Sequence, residues 1–257
     1  MAVITVGKNK YETDLLVFDK DGLMFDSEQF WIEMADARIR AISKHCAPEI
    51  VRQWTKLMGV DAKLGENDIY KTGFVDPVGI LAVAPPNEEI VILAGFLAER
   101  NGMVWHEARN LAAELFDESD KDIDLRRALK PQPGFVELMK KINSLDIPYG
   151  VATSDTYERT RDSMSLYGCW DKVRFVVTSK DVARGKPEPD MLEYISGKFG
   201  VPSGRITMIG DSYVDVKMAH AAGSIGIGVS PFDDMRQKMK PYATEIINDL
   251  NGIEIKK

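Results

Sequence analysis

The chain is poor in the residue types that build disulfide frameworks and nitrogen- or sulfur-based metal sites. Among its 257 residues are two cysteines, Cys46 and Cys169, and three histidines. Two thiols cannot form a disulfide framework or a four-thiolate zinc site. The histidines, His45, His106 and His220, do not fall in a metal-ligand spacing. The low cysteine count favours a reducing compartment, and we expect a cytoplasmic protein.

Long hydrophobic runs and an excess of basic residues are also missing. No segment approaches about 18 uninterrupted apolar residues, so no membrane span is expected. Residues 1–5 lack the charged region and long apolar stretch of a signal peptide. Lys and Arg number 33 against 40 Asp and Glu, a net charge of −7, whereas nucleic-acid binding needs a basic surface. We therefore expect no nucleic-acid or membrane partner, and the sequence leaves the oligomeric state open.

Short apolar runs that end in polar clusters recur along the chain. Runs without strict alternation are typical of strands buried on both faces of a parallel sheet. They lie at residues 15–18, 149–152, 175–177, 206–209 and 225–229. Segments with helical apolar spacing separate the later runs, and Gly200 and Gly223 mark two helix ends. This alternation predicts a doubly wound, Rossmann-like α/β domain with a parallel sheet.

A long insertion follows the first of these runs. Its apolar residues recur at helical spacing in three segments, 31–42, 90–97 and 108–115. Asn87 is the expected N-cap of the second segment, with two glutamates in its first turn. We predict an all-helical insertion whose stretch 59–87 has no assignment.

These patterns divide the chain into two expected domains. Residues 1–24 and 130–257 form the α/β core, and residues 25–129 form the helical insertion.

Paired carboxylates follow two of the predicted strands. Asp19 and Asp21 come directly after the run 15–18, and Asp211 and Asp215 come after 206–209. Each pair alone is also compatible with a turn or with the first turn of a helix. Ligands bind at the carboxyl ends of strands in open α/β sheets. Carboxylates gathered there repel one another unless a cation neutralises them, and hard oxygen ligands suit Mg²⁺.

Two further strand ends supply groups that a phosphate needs. Thr153 and Ser154 offer hydroxyl groups and backbone N–H groups after the second run. Lys186 offers a cation in a loop that contains two prolines. Taken separately, Thr153 also fits a helix N-cap and Lys186 fits a surface lysine.

The order of these motifs resembles that of a known family. Asp19-x-Asp21, Thr153, Lys186 and Gly210-Asp211-x-x-x-Asp215 are similar to the four motifs of the haloacid dehalogenase-like hydrolase superfamily, in its phosphatase branch. The segment from Phe18 to Trp31 resembles the subgroup of phosphoglycolate phosphatases and beta-phosphoglucomutase. This branch carries a mobile helical cap after the first motif, which matches the position of the insertion.

The resemblance implies a role for each matching residue. Asp19 is the expected nucleophile that forms an aspartyl-phosphate, and Asp21 the general acid and base. Asp19, Asp211 and the backbone carbonyl of Asp21 would hold Mg²⁺, with Asp215 as a further ligand or acting through water. Thr153, Ser154 and Lys186 would bind the phosphoryl group. Lys20, between the two aspartates, is expected to point away from the site.

The resemblance also favours one activity over its alternatives. We predict a phosphatase that uses Mg²⁺ to hydrolyse a small phosphorylated metabolite, a sugar phosphate or a phosphoglycolate-like compound. Beta-phosphoglucomutase has a cap histidine twelve residues after the nucleophile, where this chain has Trp31. Arg52 resembles a mutase-type arginine that receives a second anionic group, although a solvated arginine fits equally well. A phosphomutase, a phosphotransfer receiver module and a catalytically silent binding protein remain open as alternatives.

Overall fold

The structure is a computed structural model, and it describes residues 1–64 and 70–257. The β-strands are β1 Ala2–Val6, β2 Asn9–Thr13, β3 Leu15–Phe18, β4 Phe25–Asp26, β5 Val60–Leu64, β6 Tyr70–Val75, β7 Lys130–Pro131, β8 Tyr149–Thr153, β9 Val173–Thr178, β10 Ile206–Gly210, β11 Ile225–Val229, β12 Glu245–Ile247 and β13 Ile253–Lys256. The α-helices are α1 Ser27–Ser43, α2 Pro48–Met58, α3 Ile80–Val83, α4 Pro86–Arg100, α5 Trp105–Lys121, α6 Leu125–Ala128, α7 Phe135–Ser144, α8 Tyr157–Leu166, α9 Asp190–Phe199, α10 Tyr213–Ala222 and α11 Asp233–Met239.

The chain divides into two units. The first unit comprises Met1–Asp26 and Pro131–Lys257, and the second comprises Ser27–Lys130. Among the described residues, no helix is both long enough and apolar enough to cross a membrane.

A six-stranded parallel sheet forms the centre of the first unit. Its strand order is β12-β11-β10-β3-β8-β9. The chain builds outward from β3 through β8 to β9 and then returns to the other side of β3 with β10. This reversal makes the crevice between β3 and β10 the topological switch point of the sheet. The predicted doubly wound α/β core is confirmed.

The core of this unit follows from the apolar runs in the sequence. All residues of β3, β8 and β10 are buried. Helices α9 and α10 pack their apolar faces against the sheet through Met191, Leu192, Ile195, Met218 and Ala219. Gly200 and Gly223 end these helices in the left-handed conformation, as their positions predicted.

A second, three-stranded sheet in the first unit was not predicted from the sequence. Its order is β13-β1-β2, and both pairs are antiparallel. Strand β1 alternates buried and partly exposed residues, as a strand with one covered face does. Its two partners lie far apart in sequence, since β13 is close to the C-terminal end.

The second unit is mainly helical but not all-helical. Helices α1, α4 and α5 contain the three segments of helical apolar spacing seen in the sequence, and α2 is a fourth long helix that was not predicted. Strands β5 and β6 pair antiparallel within the stretch 59–87 that had no assignment, and residues 65–69 of that stretch lie outside the described part. The prediction of an all-helical insertion is therefore wrong in this respect. Asp36 fixes the hairpin, because its Oδ1 accepts a hydrogen bond from the backbone N–H of Thr72 at 2.8 Å.

The predicted N-cap of α4 is also wrong. The helix begins at Pro86, and Pro85 rather than Asn87 occupies the N-cap position. Proline suits the first turn of a helix because its fixed φ is already helical and the N–H that it lacks would have no partner there. Glu88 and Glu89 lie in the first turn, as expected for carboxylates near the positive end of a helix.

Candidate active site

Asp19 and Asp211 lie on adjacent strand ends at the switch point. Strand β3 ends at Phe18, which is paired with Ile209 of β10. Asp19 follows directly, and its backbone N–H donates to the carbonyl oxygen of Ile209 at 2.9 Å. Because the two strands are parallel and in this register, the acids that follow them lie at the same edge of the sheet.

Three carboxylates form a cluster at this edge. One carboxylate oxygen from each of Asp19, Asp211 and Asp215 lies within 4.8 Å of the others. Asp215 is fixed by the start of α10, where its Oδ2 accepts from the backbone N–H of Ser212 at 3.2 Å as part of a capping box. Gly210 makes room for it, since a Cβ at residue 210 would lie 2.4 Å from Asp215 Cγ.

Lys186 lies inside the carboxylate cluster. Its Nζ is 2.5 Å from Asp19 Oδ1 and 2.6 Å from Asp215 Oδ1. The side chain is 5% exposed, so the alternative of a surface lysine is wrong. The loop that carries Lys186 is fixed by the pair between Arg184 and Asp190, whose Nη2 and Oδ1 are 2.7 Å apart.

The electrostatics of the cluster show an excess of negative charge. Burial, together with the charges of Asp19 and Asp215, holds the pKa of Asp211 well above its usual range. Burial also raises the pKa of Asp19, and Lys186 opposes that shift. Burial lowers the pKa of Lys186, but the charges of Asp19 and Asp215 outweigh it and raise that pKa above its ordinary value. Three carboxylates against one ammonium leave two unbalanced negative charges when all are ionised.

The side chain of Lys20 does not point away from Asp21. Its Nζ donates to Asp21 Oδ1 at 2.5 Å, and the side chain is fully buried. The expectation of an outward side chain assumed that the two-residue alternation of a strand continues past Phe18, but the chain leaves the strand there. Burial raises the pKa of Asp21 to about 6, with Lys20 opposing and Asp155 and Asp19 adding to the shift.

Thr153 ends strand β8, which lies beside β3 in the sheet. Its side chain is buried, and its Oγ1 accepts from the backbone N–H of Asp155 at 3.0 Å. Ser154 is exposed. The N-cap of α8 is Thr156, which accepts from the backbone N–H of Arg159 at 3.2 Å, so Thr153 is not the helix cap.

Arg52 belongs to the second unit. It lies on α2, is 73% exposed and pairs with Glu49 one turn earlier. Together with Lys56, Asp61 and Phe74 it lines a groove of about 400 Å³ within that unit.

Asp155 is the residue that reasoning from the sequence did not assign. It is buried two residues after Thr153, and its Oδ2 lies 2.8 Å from Lys20 Nζ. A carboxylate placed at that spacing after the strand end, in the same motif as Thr153, was the available signal.

The fold and the site together define a class of enzyme. An acidic cluster with a buried lysine, at the switch point of a doubly wound sheet, is an arrangement suited to group transfer from an anionic substrate. The chain belongs to the haloacid dehalogenase-like hydrolases, because the model of that family matches residues 13–223. The resemblance seen in the motifs is thereby confirmed.

Three curated relatives are phosphatases by name. A probable pseudouridine-5'-phosphatase of Drosophila melanogaster is 26% identical over 243 residues, which cover 91% of this chain and 88% of that protein. A phosphoglycolate phosphatase of Rhodospirillum rubrum is 32% identical over 91 residues, or 35% of this chain and 38% of that protein. The probable phosphatase IndB of Dickeya dadantii is 27% identical, and the match spans 46% of this chain and 51% of that relative. These names support the predicted class, a phosphoric monoester hydrolase.

Solved structures of low identity share the fold. A predicted phosphoglycolate phosphatase from Haemophilus somnus aligns with a TM-score of 0.62 at 16% identity, covering 93% of this chain and 95% of that one. A putative beta-phosphoglucomutase from Thermotoga maritima aligns with a TM-score of 0.59 at 17% identity, covering 93% and 96%.

Proposed function

We propose that the protein is a Mg²⁺-dependent phosphatase that hydrolyses a small phosphorylated metabolite through an aspartyl-phosphate on Asp19. The single observation that carries this proposal is the pairing of Asp19 with Lys186 inside a cluster of two further carboxylates. A carboxylate nucleophile must approach an anionic phosphate, and nearby positive charge makes that approach possible.

The donor set of the cluster fits a magnesium ion. The cluster offers hard carboxylate oxygens within 4.8 Å of one another, and its charge excess is that of one divalent cation. Burial, and then the charges of Asp19 and Asp215, raise the pKa of Asp211, and a bound cation would oppose both effects. Asp19, Asp211 and the backbone carbonyl of Asp21 would hold the ion, with Asp215 as a further ligand or acting through water. The ion would neutralise charge on the phosphoryl oxygens.

The proposed reaction has two displacements at phosphorus. In the first, Asp19 forms a bond to phosphorus while the bond to the leaving oxygen breaks and Asp21 gives that oxygen its proton. In the second, water attacks phosphorus, Asp21 takes a proton from the water and the bond to Asp19 breaks. Lys186 would bind the non-bridging oxygens, and Thr153 and Ser154 would supply hydroxyl and N–H donors. A carboxyl group with a pKa of about 6 suits both proton transfers near neutral pH.

The second unit, Ser27–Lys130, would serve as the cap that selects the substrate. Arg52 is proposed to bind a second anionic group, because it is exposed in an open groove that a second cation, Lys56, also lines, together with Asp61 and Asp76. The names of two relatives direct attention to phosphoglycolate and pseudouridine 5'-phosphate. Sugar phosphates, which the motif resemblance favours, join them in a screen.

The deciding experiment is a screen of phosphorylated metabolites with Mg²⁺, scored by release of inorganic phosphate, with Asp19→Asn as the control. The variant is nearly isosteric, so the fold should persist while turnover falls by at least about 10³-fold, since an amide cannot attack phosphorus. Activity of Asp19→Asn within tenfold of wild type would exclude the covalent step. Conversion of beta-glucose 1-phosphate to the 6-phosphate faster than phosphate release would show a mutase instead.

A further inference from the structure

A chain of four charged side chains, of which the central two are buried, links the proposed acid and base, Asp21, to the turn after β8 and the start of α8. Lys20 Nζ contacts Asp21 Oδ1 at 2.5 Å and Asp155 Oδ2 at 2.8 Å. Asp155 Oδ1 in turn lies 2.6 Å from Arg159 Nη2. The two carboxylates and two cations alternate along this chain and balance in charge.

Asp155 is held in place by its own backbone contacts. Its Oδ1 accepts from the backbone N–H of Thr156 at 2.7 Å, and its own N–H donates to Thr153 Oγ1 at 3.0 Å. Burial raises the pKa of Asp155, but Lys20 and Arg159 outweigh it and bring that pKa to about 2. Asp155 therefore stays ionised and offers Lys20 a permanent, rigidly held anion.

The backbone of Lys20 is held as firmly as its ammonium group. Its carbonyl oxygen accepts from the N–H of Met24 at 3.0 Å, and the N–H of Gly22 donates to the carbonyl oxygen of Phe25 at 3.0 Å. The side chain of Gln132 donates to the carbonyl oxygen of Gly22 at 2.9 Å. Lys20 thus has both ends anchored, so the position of its Nζ constrains the Asp21 carboxyl group rather than following it.

We propose that Lys20 is a positioning residue for Asp21. Its ammonium group donates a hydrogen bond to Oδ1 of Asp21, so that Oδ2 of Asp21 faces the leaving-group oxygen and exchanges a proton with that oxygen. This inference rests on the proposed function, in which Asp21 is the acid and base. Proton transfer needs donor and acceptor within hydrogen-bond reach, so a carboxyl group that rotates freely loses much of its effect.

The test compares two aryl phosphates that differ mainly in their leaving groups. p-Nitrophenolate leaves without much help from an acid, whereas p-methylphenolate needs protonation. Lys20→Met keeps the length of the side chain and removes its charge. We expect it to lower kcat/KM on p-methylphenyl phosphate roughly tenfold more than on p-nitrophenyl phosphate. The ratio of the two activities, measured on one sample, does not depend on the fraction of folded enzyme.

A double-mutant cycle with Asp21→Asn separates positioning from general charge balance. Asp21→Asn should lower the same ratio by on the order of 10²-fold. Adding Lys20→Met to Asp21→Asn should change the ratio by less than about twofold, because the group that Lys20 positions is no longer an acid. Equal losses on both substrates in Lys20→Met, or a further tenfold loss of the ratio in the double variant, would overturn the proposal.

Two further variants keep the test decisive if Lys20→Met does not fold. Asp155→Asn removes the counter-charge that holds the Lys20 ammonium group and keeps the side-chain volume nearly unchanged. It should lower the activity on p-methylphenyl phosphate relative to p-nitrophenyl phosphate, as Lys20→Met does, so an unchanged ratio of the two activities contradicts the proposal. Arg38→Met is the matched control. Arg38 is also a buried cation, bonded to the carbonyl oxygen of Phe116 at 2.9 Å in the second unit, and its loss should lower Tm without changing the ratio.

The outcomes also separate this inference from the proposed function. Absence of Mg²⁺-dependent turnover by the wild-type enzyme on both esters, and on every metabolite in the screen, overturns the phosphatase and the role of Lys20 together. A strong leaving-group effect in Asp21→Asn with an unchanged ratio in Lys20→Met overturns the role of Lys20 alone.

Discussion

The backbone of Gly22 lies directly against the carboxylate of Asp211. A Cβ at residue 22 would be 2.1 Å from Asp211 Oδ2, far inside the contact distance of any real Cβ. Gly22 also has a φ of 86°, in the left-handed region that favours glycine. The turn after β3 therefore needs glycine for two reasons, and one of them is the position of a proposed metal ligand.

Gly22→Ala should displace Asp211 and weaken metal binding. We expect the Mg²⁺ concentration for half-maximal activity to rise on the order of 10- to 100-fold, the range seen when the support of a metal ligand is lost. A Mg²⁺ titration of p-nitrophenyl phosphate hydrolysis measures it. Gly7→Ala is the matched control, because Gly7 has a φ of 59° and nothing within 4 Å of a new Cβ. Gly7→Ala should lower the free energy of unfolding by about 1–2 kcal/mol and leave the Mg²⁺ requirement unchanged. An equal Mg²⁺ requirement in Gly22→Ala and Gly7→Ala would contradict the prediction.

Removal of divalent metal should abolish the activity reversibly. Excess chelator should bring phosphate release to background, and added Mg²⁺ should restore it, because the acidic cluster then regains its balancing charge. Ca²⁺ should not replace Mg²⁺ and should inhibit, since its larger and looser coordination shell would misplace Asp19. Full activity in excess chelator would eliminate the metal from the proposed mechanism.

Arg52→Ala should affect recognition of the substrate and not the chemical step. Loss of a charge-assisted contact to a second anionic group should raise KM for the best natural substrate about tenfold. The KM for p-nitrophenyl phosphate, which has no such group, should stay within about twofold. Arg100→Ala is the control, since Arg100 is another exposed arginine of the second unit that pairs with a glutamate, Glu99. An unchanged KM in Arg52→Ala would contradict the proposed contact between Arg52 and the substrate, and it would not affect the phosphatase proposal.

The pair between Asp14 and Arg205 should make stability depend on pH in the acid range. The hydrogen bond from Arg205 lowers the pKa of Asp14 below its ordinary value of 3.8. Because the folded-state pKa is depressed, the stabilisation is present above 3.8 and is lost as the pH falls through the folded-state pKa. Asp14→Asn should therefore lower Tm slightly at pH 7, and by less at a pH well below 3.8. The effect is small because the Asp14 side chain is 35% exposed. Thermal unfolding followed by circular dichroism at both pH values measures it, and an equal decrease at both would contradict the assignment.

Local sequence patterns determined the central sheet and the order of its motifs. A run such as Leu15–Phe18 has no polar face and is too short for a buried helix, so it favours a strand covered on both sides. Glycines such as Gly200 and Gly223 end helices because they alone adopt the left-handed conformation without strain. These signals lie within a few residues of one another, which is why they could be read without the fold.

Tertiary structure decided the features that depend on distant partners. Strand β1 needs β13 from the other end of the chain, and the hairpin β5–β6 is held by Asp36 of a helix. Lys186 is buried because Asp19 and Asp215 neutralise it, and neither is near it in sequence. Lys20 turns toward Asp21 because Asp155, more than a hundred residues later, supplies its second counter-charge. The sequence by itself determined which side chains follow the strands, and only the packing of distant segments decided which of them meet.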